Sequence, residues 1–180
     1  MIHSTLFRSV AFVALTMAAL DVYASGTTRI FFSGYFSAYL PTQSLDGATF
    51  FSSDGPGIKF SDGSHLAGTL ITREREGFDP TFELKDYPLY LFGLKNPDEL
   101  GIGDAEKFLR SHEELKSSLG DPVFEVVNVT GATFYSACSD RCEAIVVQDA
   151  QDEHLLHITS RGLGKTDIMT FLQDGNHAAD

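Results

Sequence analysis

Short runs of apolar and β-branched residues, broken by turn dipeptides, fill the first and last thirds of the chain and predict β-strands. Between the early runs stand Asp54-Gly55 and Asp62-Gly63, which are typical of tight turns between antiparallel strands. Pro41 ends the first run. The segments that we predict as β-structure are 29–40, 48–51, 57–60, 65–73, 123–129, 132–137, 143–148 and 154–160. The chain is therefore expected to form a meander of short antiparallel strands.

At residue 104 the apolar positions change to spacings of three and four, which predicts an amphipathic helix. Asp104 is suited to cap its N-terminus, while Gly120 and Pro122 are suited to end it. A second, shorter helix is predicted over residues 166–173, with Thr166 as its cap. The apolar stripe of the longer helix consists of Ala105, Phe108, Leu109, His112, Leu115 and Leu119.

The middle of the chain, residues 78–103, is rich in proline and shows neither period. Its short apolar stretch, 89–94, predicts either a helical turn that caps the sheet or a loop that lines a pocket. Strands in succession, with helices inserted and appended, favour an α+β domain over strict β-α alternation. We therefore predict a single α+β domain, with a mainly antiparallel sheet packed against one long amphipathic helix and a short C-terminal helix.

The N-terminal segment has the pattern of a secretory signal peptide. An uncharged apolar run follows one basic residue, Arg8, and is too short to span a bilayer. Val22 and Ala24 are small residues at the positions three and one before a cleavage site, so we expect cleavage after Ala24. The sequence thus predicts a signal peptide over residues 1–24, a globular domain over residues 25–180, and a periplasmic or secreted location.

The chain is strongly acidic, since 25 Asp and Glu residues against 13 Lys and Arg residues give a formal net charge of −12. Such a surface repels phosphate backbones and anionic lipid headgroups, which disfavours nucleic acid and, after signal removal, membranes as partners. The negative charge favours a basic exported protein as a partner. Alternatively, it only keeps the protein soluble.

The only two cysteines, Cys138 and Cys142, flank three polar residues between two predicted strands. A redox pair, half of a metal site and a disulfide across a turn are the possible interpretations. Thioredoxin-type redox pairs have two intervening residues beside a helix, and tetrahedral zinc needs two further ligands. In an exported chain, a disulfide that closes a hairpin turn is favoured. Asp140 and Arg141 at the tip are then candidate partner-binding residues.

His154 and His157 follow an acidic turn that includes Asp152, a pattern that superficially resembles a metal site. In a strand, however, residues three apart point to opposite faces, so the two imidazoles should not converge. His112 lies on the apolar stripe of the long helix, where a lone histidine is typical of a hydrogen-bonded core residue. We therefore predict no metal and no cofactor, with His154, His157 and Asp152 as the alternative metal ligands.

No catalytic motif emerges from the sequence. The glycine-rich run before the last helix, residues 161–166, superficially resembles a phosphate loop, but Thr159 stands where that motif requires its first glycine. A Gly-x-Ser-x-Gly nucleophile elbow is also absent. We therefore assign no catalytic residue.

The chain contains 15 Phe and 6 Tyr, and several of these aromatics stand as adjacent pairs in predicted strands. Adjacent strand residues point to opposite faces, so some rings must leave the main core unless both sheet faces are covered. Tyrosines combine an apolar ring with a polar tip, which suits an interface. The candidate partner-binding tyrosines are Tyr35, Tyr39, Tyr87 and Tyr90.

These features favour a soluble, non-enzymatic binding protein of the bacterial periplasm or exterior, such as an inhibitor or an immunity-type protein. The alternative is a small secreted or periplasmic hydrolase whose site is assembled from dispersed residues. A pocket that holds His65, His112 or His157 with an acid and a hydroxyl would favour the hydrolase. An acidic and aromatic surface would favour binding.

Overall fold

The computed structural model describes residues 26–52, 54–120, 122–150 and 153–173. The predicted signal peptide and Asp152 lie outside these ranges. The strands are β1 (Thr27–Phe31), β2 (Ser37–Pro41), β3 (Thr49–Ser52), β4 (Pro56–Lys59), β5 (His65–Ile71), β6 (Val123–Val129), β7 (Ala132–Cys138), β8 (Arg141–Gln148) and β9 (Leu155–Arg161). The α-helices are α1 (Arg73–Glu76), α2 (Tyr87–Leu91), α3 (Ile102–Leu119) and α4 (Lys165–Gln173), and the 3₁₀ helices are Thr42–Leu45, Leu84–Asp86 and Pro97–Glu99.

Seven strands form one antiparallel sheet in the order β3-β4-β5-β9-β8-β7-β6, and β1 and β2 form a separate hairpin. Strand β9 lies between β5 and β8, so it joins the early meander to the later one. Its pairing with β5 runs from His65 opposite Arg161 to Ile71 opposite Leu155. The predicted α+β class, with one long and one short C-terminal helix, is confirmed. Within the described ranges, no helix is long and apolar enough to cross a membrane.

One face of the sheet, here called the first face, is covered by the β1–β2 hairpin and by α4. Side chains of alternate strand residues meet those of the hairpin and the helix in a continuous apolar core. Each such buried aliphatic or aromatic side chain contributes roughly 1.5–3 kcal/mol. Central members of this core are Phe32, Leu40, Ile58, Phe134, Val146, Ile158, Ile168 and Leu172.

The opposite face, here called the second face, is covered over part of its area by α3 and by the middle segment of the chain. The middle segment combines both predicted roles. Its buried Leu84 and Leu91 pack on the sheet side, and other residues of the segment line a groove. The core under this cover includes Ile71, Leu84, Tyr90, Leu91, Phe108, Leu115, Ile145 and Leu155.

The segment 29–40, predicted as one β-prone run, is divided by a turn between β1 and β2. Phe32 N and Ser33 N both donate to the carbonyl of Phe36, at 2.9 and 3.2 Å. The Ser33 hydroxyl accepts hydrogen bonds from the backbone N–H groups of Tyr35 and Phe36. The serine side chain thus satisfies the donors of a turn that carries none of the Asp-Gly signals found elsewhere.

Helix α3 begins two residues before the predicted cap, so the assignment of Asp104 as its N-cap is wrong. Gly101 is the N-cap, and Asp104 lies buried in the first turn. Its carboxylate accepts from the backbone N–H of Asp79 at 3.3 Å and from Lys107 Nζ at 3.4 Å, contacts that draw it inward. The predicted end at Gly120 is confirmed, and its φ of 77° suits glycine.

The cap of α4 is also not the predicted residue. The helix begins at Lys165, so Thr166 lies inside its first turn. Asp167 takes the capping role instead, because its Oδ2 accepts from the backbone N–H of Gly164 at 2.9 Å. A carboxylate in this turn also interacts favourably with the positive end of the helix dipole.

Substitution of Gly68 in β5 tests how closely the β1–β2 hairpin packs on the sheet. A Cβ built on Gly68 would lie 2.3 Å from Phe32 Cδ1, whereas one built on Gly34 in the hairpin turn would meet nothing within 4 Å. Gly68→Ala is expected to lower the free energy of unfolding by about 1–3 kcal/mol, because Phe32 and its hairpin must move. Gly34→Ala, the matched control, is expected to change it by less than about 0.5 kcal/mol. Urea unfolding measures both, and equal effects would contradict this packing.

Candidate functional site

The second face of the sheet turns from apolar to basic along its central strands. In β9, Leu155 is completely buried, and the residues that follow on the same face are His157, Thr159 and Arg161. Leu155 and His157 are buried or half-buried, whereas Arg161 is exposed. The helices therefore cover one end of this face and leave the other open.

At the open end, four basic-type side chains lie in one row across four adjacent strands. Lys59 is opposite His65, His65 is opposite Arg161, and Arg161 is opposite Arg141. Directly opposed residues of neighbouring strands share a face, so all four side chains are on the second face. We call these four residues the basic row. At a strand spacing of about 4.8 Å, the row is about 14 Å long.

A groove of about 630 Å³ runs beside the basic row. Its lining includes Lys59, His65 and Arg161 on the sheet and Phe51 from the edge strand β3. A Cβ built on Gly57 would lie 2.3 Å from Phe51 Cζ, so the ring lies directly on the glycine. Phe51 remains 40% exposed and gives the groove an apolar flank.

One acid, Asp62, also lines this groove. Its Oδ1 accepts hydrogen bonds from the backbone N–H of Ser64 at 2.8 Å and from the Ser64 hydroxyl at 2.6 Å. These hydrogen bonds hold the pKa of the Asp62 carboxyl below its usual value. The pocket thus brings together His65, an acid and a hydroxyl, but the hydroxyl donates to the acid within a turn.

Between the basic row and the helical cover lies a histidine–carboxylate pair. Glu143 Oε2 is 2.6 Å from His157 Nε2, and both side chains are 25% exposed. The negative charge of Glu143 also acts on Tyr87 in the helical cover. Burial, followed by the charges of Glu76 and Glu143, raises the pKa of the Tyr87 hydroxyl. Among the described residues, no serine or threonine hydroxyl hydrogen-bonds to His157, so the pair lacks the nucleophile contact of a Ser-His-acid site. The alternative of a dispersed hydrolase stays a prediction.

A larger groove, of about 790 Å³, lies on the helical side of the same face. Its floor is aromatic: the ring centroids of Phe78, Phe82 and Tyr90 lie 5.1, 5.5 and 5.2 Å from that of Phe108. We call it the acidic groove, because five carboxylates and one lysine line it: Asp79, Glu83, Asp86, Glu99, Asp104 and Lys95.

The lysine of the acidic groove is already engaged. Lys95 Nζ lies 3.0 Å from Asp86 and 3.9 Å from Glu99, and it sits 5.1 Å from the ring centroid of Tyr90. Hydrogen bonds with Tyr90 and then Asp86 raise the pKa of Lys95. Glu83 is 65% exposed on the rim. Two more lysines contact carboxylates of the groove, Lys85 at 3.0 Å from Glu83 and Lys107 at 3.4 Å from Asp104. Five carboxylates against three lysines leave an excess of negative charge.

The predicted disulfide across a hairpin turn is confirmed by its geometry. Cys138 and Cys142 are directly opposed at the end of the β7–β8 hairpin, with their Cα atoms 4.2 Å apart and their sulfurs at bonding distance. The turn between them exposes Asp140 and Arg141. Arg141 is therefore fixed beside a covalent link, and it forms one end of the basic row.

The four candidate tyrosines do not form one surface. Tyr35 is 48% exposed and stacks on His154 with ring centroids 4.0 Å apart, on the side of the hairpin. Tyr39 belongs to the hairpin, whereas Tyr87 and Tyr90 belong to the opposite, second-face core. Tyr90 is only 4% exposed and lines the acidic groove. Their roles in partner binding stay predictions.

The three histidines considered in the sequence analysis, His112, His154 and His157, lie in separate surroundings. His154 stacks on Tyr35, while His157 pairs with Glu143 on the other face, so the two imidazoles lie in different surroundings. In the described ranges, no group of three metal-ligating side chains comes together. His112 is half-buried on α3, and its Nδ1 lies 2.8 Å from the carbonyl of Leu91.

The fold and its two grooves define an α+β protein whose antiparallel sheet is covered on one face and half-covered on the other. Comparison of the chain with protein-family models, curated proteins and solved structures finds no match. Function is therefore inferred from the geometry of the site.

Sequence patterns did not single out Asp79, Glu83 and Ile102 of the acidic groove, nor Lys59 and Arg161 of the basic row. The two basic residues carry a signal that could have been used. Each stands at the end of a predicted strand, next to a turn that contains glycine. In an acidic chain, basic residues at the ends of several strands are the signal that could have drawn attention to them. Strand order and register were still needed to bring them into one row.

Proposed function

We propose that the protein is an exported, non-enzymatic binding protein that receives a basic segment of a partner protein in the acidic groove. The observation that carries this proposal is an aromatic floor bordered by five carboxylates, which outnumber the three lysines in contact with them, Lys85, Lys95 and Lys107. Binding of this kind suits an inhibitor or an immunity-type protein, which acts by covering a basic surface of its target.

The acidic groove offers apolar contact area as well as charge. Ile102, at the first turn of α3, is 82% exposed and lines the groove. Leu94 and Leu109 are 51% and 53% exposed, and they line an adjoining depression that shares Tyr90 and Lys95 with the groove. Exposed apolar side chains beside polar rims are characteristic of protein interaction sites. A partner segment would bury them.

Electrostatics favours a cationic occupant over a neutral one. Asp79, Glu83 and Glu99 lie on the exposed part of the rim. Hydrogen bonds from Thr81 lower the pKa of the Asp79 carboxyl, so this acid remains charged well below neutral pH. Complementary charge speeds the encounter of two proteins and selects against like-charged competitors. We therefore infer a partner segment that combines lysine or arginine with aliphatic or aromatic residues.

Selection from a displayed library of random peptides tests this proposal. The peptides that bind are expected to be enriched in Lys and Arg together with apolar residues. Two variants, Glu83→Gln/Glu99→Gln and Ile102→Ser, are each expected to weaken a selected peptide at least about tenfold, which equals about 1.4 kcal/mol. All three residues are well exposed, so stability should change little.

The matched control for the charge change is Glu113→Gln/Glu114→Gln. It removes two exposed carboxylates from α3 that line neither groove. The control is expected to weaken the same peptide by less than about twofold, through long-range charge alone. Selection of acidic peptides, or an equal loss in the control and the groove variants, would contradict the proposal.

Export is the second part of the proposal. It rests on the short apolar run and the small residues before Ser25, and the hairpin disulfide is compatible with an oxidising compartment. N-terminal sequencing of protein recovered from the periplasm or medium is expected to begin at Ser25. An intact Met1 in that fraction would contradict a cleaved signal peptide.

A further inference from the structure

The basic row places like charges next to one another in a chain that has few of them. Arg141 and Arg161 are directly opposed, and Lys59 follows beyond His65. Directly opposed like charges on a sheet are destabilising. None of the ion pairs found among the described residues includes any of these four side chains. The row is therefore a local concentration of positive charge that the folded domain leaves without a counter-charge in contact.

The acids nearest to the row along its strands and turns have other partners. Asp140 directly precedes Arg141, and its Oδ1 accepts from the Ser139 hydroxyl at 3.1 Å. Glu143 lies two residues from Arg141 on the same face, and it contacts His157 at 2.6 Å. Asp62 accepts both of its hydrogen bonds from Ser64 through one oxygen. None of these three carboxylates forms an ion pair with the basic row, so a counter-charge from outside the chain can approach it.

The groove beside the row gives such a ligand a defined shape. The turns that form its rim pack tightly, since a Cβ built on Gly162 would lie 2.9 Å from Ser64 Cβ. At the β3 edge, the ring of Phe51, which is 40% exposed, lies in close contact with Gly57. A ligand in the groove therefore meets the Arg161 guanidinium and the Lys59 ammonium group on one side and the Phe51 ring on the other, with the Asp62 carboxylate held in its turn by Ser64.

We propose that the basic row is a binding site for a small organic phosphate whose non-phosphate part packs against Phe51. Arginine presents a planar fork of donors that matches phosphate oxygens. Arg161 lines the groove, and Arg141 is directly opposed to it on the next strand. A phosphate monoester carries about −1.5 to −2 charges at neutral pH, which matches the multiple cations of the row better than one carboxylate does. The site is distinct from the acidic groove and does not depend on its partner.

Titration with phenyl phosphate and with inorganic phosphate, at low ionic strength, tests this site in the full mature protein. Isothermal titration calorimetry measures affinity, and thermal unfolding measures the ligand-induced rise of Tm. Arg141→Gln/Arg161→Gln is expected to weaken both probes at least about tenfold. The same variant is expected to raise Tm without ligand, because it removes like-charge repulsion. Phe51→Ala is expected to weaken phenyl phosphate about fivefold and to leave inorganic phosphate unchanged.

The matched control is Arg110→Gln/Lys116→Gln, which removes the same formal charge from the exposed side of α3. Its affinity for both probes is expected to stay within about twofold of the unmodified protein. Failure of both probes to bind, or an equal loss in the control and the row variant, would overturn the proposal. Binding to vesicles of phosphatidylglycerol, with no response to either soluble probe, would overturn it in favour of a lipid surface.

Discussion

The structure depends on one constraint: a seven-stranded antiparallel sheet with apolar residues on both faces must be covered on both sides. The hairpin and α4 cover the first face, where Phe32 rests directly on Gly68. Helix α3 and the middle segment cover the second face only where Ile145 and Leu155 are buried. Where the helices no longer cover this face, the strands are exposed to water. There β9 carries His157, Thr159 and Arg161 in place of apolar residues. The boundary between covered core and open sheet thus determines where the two proposed sites lie.

The segment that covers the second face also forms the acidic groove. The middle segment packs its aromatic side chains around Phe108, which leaves carboxylates and Ile102 along its outer rim. The open part of the sheet has the opposite charge, because the basic row occupies it. A chain with a net charge of −12 therefore presents one acidic and one basic surface, and the proposals assign each to a ligand of opposite charge.

The parts of this structure that sequence patterns could predict are local ones. Asp54-Gly55 and Asp62-Gly63 mark turns, an apolar period marks α3, and the spacing of Cys138 and Cys142 marks a hairpin. The turn inside the 29–40 segment was missed because it has a Ser-Gly pair rather than an Asp-Gly pair, and the hydroxyl of Ser33 satisfies its backbone donors. Buried Asp104 was misassigned because one of its partners, the backbone N–H of Asp79, is 25 residues away in the sequence.

The basic row could not be predicted in the same way. Lys59 and Arg161 are about a hundred residues apart, and only the insertion of β9 beside β5 brings them to one face.

The account of two separate binding surfaces is tested most directly by nuclear magnetic resonance. Resonance shifts are mapped first with phenyl phosphate and then after addition of a selected cationic peptide. The phosphate is predicted to shift resonances of the basic row and Phe51, and the peptide is predicted to shift those of the acidic groove without displacing the phosphate. Shifts of the same residues by both ligands, or displacement of one ligand by the other, would contradict the account.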